Sequence, residues 1–185
     1  LQCLGVPSFD VDARIIDPKT NNELSLGQEG EIVVNGPQVF VGYYNRDEDN
    51  QQSFLEIDGK RFFRTGDIGR YDNEGYFFIV DRVKRMINAS GYKVWPTEVE
   101  SLLYKHPAVL QACVVGVPDV RRGETVKAFI ILNEEFIGKT SAEEIIEWSK
   151  EQMAAYKYPR QIEFRESFPI TTSGKILWRK LQEEE

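Results

Sequence analysis

Three glycine-centred stretches carry the residues best suited to chemistry: Thr65-Gly66-Asp67, Ser90-Gly91-Tyr92-Lys93 and Thr172-Ser173-Gly174-Lys175. Glycine admits a positive φ and a close backbone approach, so each turn can present one polar side chain to a ligand. Asp67 offers a carboxylate suited to two adjacent hydroxyls, as on a ribose, and Lys175 a mobile ammonium suited to phosphate. Taken singly, each stretch also fits a surface turn between strands. A Walker-type phosphate loop is excluded, because TTSGK lacks the glycine five residues before Gly174.

The usual catalytic inventory is thin. His106 is the sole histidine, has no carboxylate or cysteine beside it in sequence, and reads as a capping or surface residue. Cys3 and Cys113 are far apart and lack neighbours at metal-ligand spacing, so they make neither a metal site nor a disulfide framework, and a reducing cytoplasm is expected. The net charge of -7 comes from acids spread along the chain, while basic residues gather between Arg82 and Lys93. That distribution excludes general nucleic-acid binding. No apolar run approaches the ~20 residues that cross a bilayer, so no integral membrane segment is expected.

These turns need elements to hold them. With 185 residues and 41% apolar content, the chain suits one ordinary domain or two small ones. From Phe9 to Tyr44 the runs VDARIID, EIVVNG and VFVGYY, punctuated by Gly, Asn and Pro, predict strands joined by tight turns. NRDEDNQQSF is a short helix or loop with Phe54 as its buried anchor. RFFRTGDIGRYDNEGYFFIVDR then predicts strand, turn, strand, with Asn73-Glu74-Gly75 closing a hairpin. The pattern shifts near Asp81. Thr97 and Glu100 have capping-box spacing at the head of a helix that puts Val99, Leu102 and Leu103 on one face. AVLQACVVGV and VKAFIIL predict strands, SAEEIIEWSKEQM a second capped helix with Ile145, Ile146 and Trp148 inward, and QIEFRE a last strand. Trp95 is expected in the core, and Trp178 fits core or ligand stacking. The fold class is α+β: a β-rich subdomain over residues 1–80, then a compact α+β domain over 81–185 with a small central sheet flanked by helices.

In this order and at these separations the turns carry a resemblance. The stretches GEIVVNGPQVFVGYYNRDED, FFRTGDIGRYDNEGYFFIVDRVKRMINASGYKVWPTEVE, HPAVLQACVVGVPDVRRGETVKAFI and YKYPRQIEFRESFPITTSGKI resemble the C-terminal part of adenylate-forming acyl-CoA synthetases. That superfamily also contains firefly luciferase and the adenylation domains of peptide synthetases. The resemblance implies an ATP-dependent acid-thiol ligase that makes acyl-CoA through an acyl-AMP and releases AMP and pyrophosphate. Its substrates are a carboxylic acid, ATP and CoA, and YKYPRQIEF resembles members acting on long- or medium-chain fatty acids.

Residue by residue, the resemblance implies that Asp67 holds the ATP ribose and that Arg82 contacts ribose or phosphate. It makes Lys84 the hinge about which a mobile C-terminal domain rotates. Ser90, Gly91 and Tyr92 line the pantetheine path, and Lys93 faces the nucleotide where many relatives carry arginine. Arg122, Lys150 and Lys157 fall where relatives bind the CoA nucleotide. Lys175 becomes the catalytic lysine bridging substrate carboxylate and α-phosphate. Without the resemblance, Lys84 and Arg85 read as an ordinary solvated basic face. The family's phosphate loop and its Mg²⁺-coordinating glutamate have no counterpart here, so no metal ligand is assigned in this chain. The resemblance therefore implies a C-terminal fragment, inactive alone, whose partner is the N-terminal domain of the same enzyme. Two other readings stay open: an adenylation domain that loads a carrier protein, and a non-catalytic nucleotide-binding module.

Overall fold

The structure is a computed structural model that describes residues 2–185. It divides into two compact units, with the division between Lys84 and Arg85.

The first unit is an antiparallel sheet with one short helix. Its elements are β1 (Gln2–Gly5), β2 (Asp12–Ile16), β3 (Gly30–Asn35), α1 (Asp47–Ser53), β4 (Phe54–Ile57), β5 (Lys60–Tyr71) and β6 (Phe77–Arg82). The spatial order is β1-β6-β5-β3-β2, with β4 also paired to β5. Strand alternation sorts the apolar side chains into two layers. Ile15, Ile32 and Phe77 form one cluster, and Ile16, Val33 and Phe62 the other. The hairpin between β5 and β6 turns where expected: the Asp72 carboxylate accepts the Glu74 and Tyr76 amides at 3.0 Å each, and Gly75 has φ +85°.

Two local expectations for this unit are corrected. VFVGYY is a loop, not a strand. Its shape comes from side chains: the Phe40 ring meets Tyr43, Phe54 and Phe63 edge-on at 5.0–5.4 Å, and Asn50 clasps the Tyr43 backbone at both N–H and C=O. Thr65-Gly66-Asp67 is likewise no turn between strands. It is a bulge inside β5, where the register against β3 jumps from Glu31↔Ile68 to Val33↔Arg64 and Gly66 takes φ +71°.

The second unit contains β7 (Ile87–Ala89), β8 (Tyr92–Val94), α2 (Pro96–Leu103), β9 (Val109–Asp119), β10 (Gly123–Leu132), α3 (Ala142–Gln152), β11 (Gln161–Phe164) and α4 (Trp178–Glu183). Its sheet runs β11-β10-β7-β8, with β9 on β10 and β11 parallel to β10. The expected run of helix, two strands, helix and strand is present, with the β7–β8 hairpin before it and the terminal α4 added. The long β9–β10 pair is the wall of this unit, and its two faces carry different clusters. Ala112, Val114, Val126, Ala128 and Ile130 pack with Ile87, Val94, Val99, Leu103 and Ile145. Cys113, Val115, Val117 and Phe129 pack with Phe168 and Leu181, with Ile176 and Trp178 against them.

Ser141 caps α3 through a full capping box with Glu144. The corresponding box at α2 does not form. Trp95 is the residue before that helix, Pro96 occupies its first turn, and no side chain caps it. Proline fixes φ and lacks an N–H, so it starts the helix two residues earlier than a Thr97 cap allows. Glu100 is thereby released for a different task.

Candidate nucleotide and thiol sites

In the first unit, Asp67 sits on the bulge of β5 directly opposite Arg82 of β6, and the Arg82 Nε lies 2.7 Å from Asp67 Oδ1. The bulge is held from beneath by Glu31, only 3% exposed. One Glu31 oxygen accepts the Gly66 amide at 3.2 Å while the other takes two contacts from the Arg64 guanidinium. Thr65 Oγ1 donates to the Ile32 carbonyl at 2.7 Å and accepts the Asp67 amide at 3.1 Å. Asp67 is thus fixed in backbone while its carboxylate reaches outward. Burial pushes its carboxyl above the usual aspartate range, Arg82 pulls it back down, and the charge of Glu31 pushes it up. Lys84 ends this unit, in a single 3-10 turn over Val83–Arg85, with its side chain exposed.

In the second unit, Ser90 and Gly91 join β7 to β8 as a two-residue hairpin with φ +56° and +86°. Positive φ at both positions is the type I′ signature, which glycine takes without strain at the second. Two contacts dock the hairpin onto the wall: the Ser90 amide donates to the Arg122 carbonyl at 2.9 Å, and the Asn88 amide to Glu124 at 2.7 Å. So Arg122 is brought beside Ser90 and Gly91. Exposed Tyr92 stacks on Tyr156, with centroids 4.6 Å apart and planes 17° from parallel. Lys157 follows that ring and is tied to Glu98 at 2.6 Å. Lys93 is half-buried in β8, paired across the strands with Asn88. Lys150 is less directly involved: it leans over Tyr158 and pairs with Glu147 on its own helix.

Lys175 lies elsewhere on the second unit. Its loop is a tight turn: Ile170 and Ile176 bridge, the Gly174 amide donates to the Thr171 carbonyl at 2.9 Å, and the Lys175 amide donates to Thr171 Oγ1 at 3.0 Å. Gly174 takes φ +79°. The backbone is anchored and the ammonium stands in solvent. Ile176 and Trp178 root this loop in the Phe129 face of the wall, whereas Ile87, Ala89 and Val94 root the Ser90–Gly91 hairpin in the opposite face.

His106 is accounted for structurally. Its Nδ1 accepts the Ala108 amide at 3.2 Å, its ring meets Trp148 edge-on, and burial lowers its pKa. Among the described residues no group of His, Cys, Asp and Glu side chains fits a metal ion, and no helix is long and apolar enough to cross a membrane. Sequence reasoning missed Glu31, Arg64 and Tyr156. The one signal for Glu31 was a charge in the apolar run GEIVV; nothing in the sequence linked it to Gly66.

Both units match known sequence families. The model of the AMP-binding enzymes matches residues 1–44, and that of the AMP-binding enzyme C-terminal domain residues 98–175. The chain belongs to the AMP-binding, adenylate-forming enzymes. It is 44% identical over 182 residues to a long-chain-fatty-acid–CoA ligase of Bacillus subtilis, covering 98% of this chain and 31% of that one. It is 40% identical to a feruloyl-CoA synthase of an Amycolatopsis species, covering 94% of this chain and 34% of that one. Among solved structures, ATP-bound MatB from Rhodopseudomonas palustris superposes with a TM-score of 0.88 at 33% identity, over 98% of this chain and 35% of that one. The chain spans about a third of the length of the curated relatives it matches.

Proposed function

We propose that this chain forms part of an ATP-dependent acid-thiol ligase making acyl-CoA in two half-reactions. A carboxylate oxygen attacks the α-phosphorus of ATP and pyrophosphate leaves. The CoA thiolate then attacks the acyl carbon of the adenylate and AMP leaves. Neither displacement needs a classical acid-base pair; both need charge neutralised and reactants aligned. In this reading Asp67 holds the ribose hydroxyls, Arg82 its neighbourhood, and Lys175 the carboxylate and α-phosphate. Lys84 is the hinge. Ser90, Gly91 and Tyr92 border the thiol path, Lys93 faces the nucleotide, and Arg122, Lys150 and Lys157 receive the CoA nucleotide.

One observation carries the proposal: Lys175 and the Ser90–Gly91 hairpin are rooted in opposite faces of one sheet. A unit that turns about Lys84 can offer one face for adenylation and the other for thiol transfer. The expected boundary at 80/81 would cut β6, which runs on to Arg82; on this reading the unit that ends at Lys84 is the last subdomain of a larger N-terminal domain and the unit from Arg85 to Glu185 the mobile domain. The remaining ATP, acyl and Mg²⁺ contacts fall to the part of the relatives this chain does not span. A fatty acid of medium or long chain is the proposed substrate, supported by the Bacillus relative, and the cytoplasm the proposed setting.

The test takes the 185-residue chain alone. AMP should perturb the amides of Gly66 and Asp67 in a titration followed by NMR, and Asp67→Asn should erase that response. Pyrophosphate exchange and acyl-CoA formation should both be absent. Perturbations that ignore Asp67, or turnover by the isolated chain, would overturn the assignment.

A further inference from the structure

The segment that carries Lys175 leaves the wall at Arg165 and returns at Glu184, and its two ends are joined by charge. The Arg165 amide still donates to the Ile130 carbonyl at 2.9 Å, so the departure point belongs to the sheet. From there Phe168 and Leu181 bury themselves on the Phe129 face, and Lys175 stands between them in sequence. At the base, Arg165 reaches Glu184 at 2.7 Å and Glu163 at 2.6 Å. Beside them Lys127 of β10, 9% exposed, takes Glu163 at 2.8 Å and Glu185 at 2.5 Å. Both cations lie over the Phe129 ring, at 4.8 and 5.2 Å.

This arrangement has a specific physical character. Lys127 is too buried to be left charged without partners, and two carboxylates satisfy it. Glu184 and Glu185 do more than cap α4: they bind the end of the Lys175 segment to the strand at which it starts. The Leu177 amide donates to the Pro169 carbonyl at 2.8 Å, so the two halves of the segment are also tied nearer the tip. Any loosening at the base reaches the Lys175 turn through a short, doubly anchored path.

We infer that Lys127, Glu163, Arg165, Glu184 and Glu185 form an ionic clasp that closes the Lys175-bearing segment and sets the position of its turn. Lys127, Glu184 and Glu185 are positioning residues, acting through α4 and the Thr171–Gly174 turn. Their importance for catalysis rests on the adenylation role proposed for Lys175; the existence of the clasp does not.

Amide hydrogen exchange on the 185-residue chain reads the clasp directly. In the double variant Glu184→Gln with Glu185→Gln, side-chain size is kept and charge removed. The Thr171, Gly174 and Leu177 amides should exchange roughly tenfold faster, while α3 amides keep their wild-type rates. The single variants Glu184→Gln and Glu185→Gln should each give part of that rise, because Glu184 meets Arg165 and Glu185 meets Lys127. Unaltered exchange at Gly174 and Leu177 in the variant would overturn the clasp. So would an equal rise in α3. A clasp confirmed in this way, alongside a complete ligase whose adenylation ignores Lys175, would remove the catalytic reading and leave the clasp standing.

Discussion

The Arg85 guanidinium and the Glu100 carboxylate meet at 2.5 Å and together occupy the free side of β9: Glu100 accepts the Val114 amide at 2.8 Å, and Arg85 donates to the Val114 carbonyl at 3.3 Å. β9 pairs with β10 and with no other strand among the described residues, so at Val114 two side chains supply what a further strand would, as Tyr104 does at Ala112 and Gln182 at Gly116. Their side chains are 16% and 15% exposed, which puts this ion pair in the partly buried regime where removing one partner is costly. Glu100→Gln should therefore destabilise the chain by about 2 kcal/mol, since it withdraws a charged acceptor from Val114 and from Arg85. Urea unfolding followed by circular dichroism checks it, with the midpoint falling and the slope unchanged.

Glu31 should govern the Asp67 bulge. Replacing it by alanine removes the acceptor of the Gly66 amide and the ion-pair partner of Arg64. We expect the Gly66 amide to lose its exchange protection and the AMP affinity read from shifts at Asp67 to weaken about tenfold, a cost near 1.4 kcal/mol. Retained binding with an exposed Gly66 amide would show that the bulge does not need its support.

In a complete ligase containing this chain, the two half-reactions should separate. Lys175→Ala should lower adenylation by about 10²–10³-fold, the range for removing one preorganised charge donor, and leave thioester formation from supplied acyl-AMP near its starting rate. A bulky replacement of Gly91, such as Gly91→Phe, should do the reverse. Single-turnover assays of each half-reaction make the comparison; equal losses in both would end the two-face account.

The pH dependence of the clasp has a definite sign. The hydrogen bond from Lys127 holds the Glu163 carboxyl below its ordinary value, against a smaller opposing effect of burial. A depressed folded-state carboxyl contributes stability that is present above its unfolded value near 4.5 and is lost as pH falls through the folded one. Lys127 is raised although burial works against its charge, because its bonds to Glu163 and Glu185 outweigh that penalty, so its contribution lasts until strongly alkaline pH. Exchange protection at Gly174 should be flat across neutral pH and fall only below about 4.5. Loss already at pH 6 would contradict this.

Much of this was legible in the sequence, for separable reasons. Strands and helices announced themselves by period, and the Ser141–Glu144 box and the Asp72–Gly75 turn formed as local chemistry dictates. The failures arose where distant residues decided. VFVGYY has strand composition, but the Phe54 and Phe63 rings and Asn50 capture it as a loop. Thr65-Gly66-Asp67 reads as a turn because a buried carboxylate 35 positions earlier, Glu31, is invisible to local rules. Thr97 and Glu100 have perfect box spacing, yet Pro96 starts the helix first and β9 claims the glutamate. The residues proposed for the site stand in recognisable motifs, while the groups that hold them, such as Glu31 beneath Gly66, do not.

The wall between the Lys175 turn and the Ser90 hairpin has a consequence for how substitutions travel. Along β9, Val114 belongs to one face and its neighbours Cys113 and Val115 to the other. A point change on one face therefore alters the packing beneath one loop and leaves the packing beneath the other in place. A register slip of a single residue against β10 would exchange the two allegiances at a stroke. Independence residue by residue and mutual dependence strand by strand come from the same pleat.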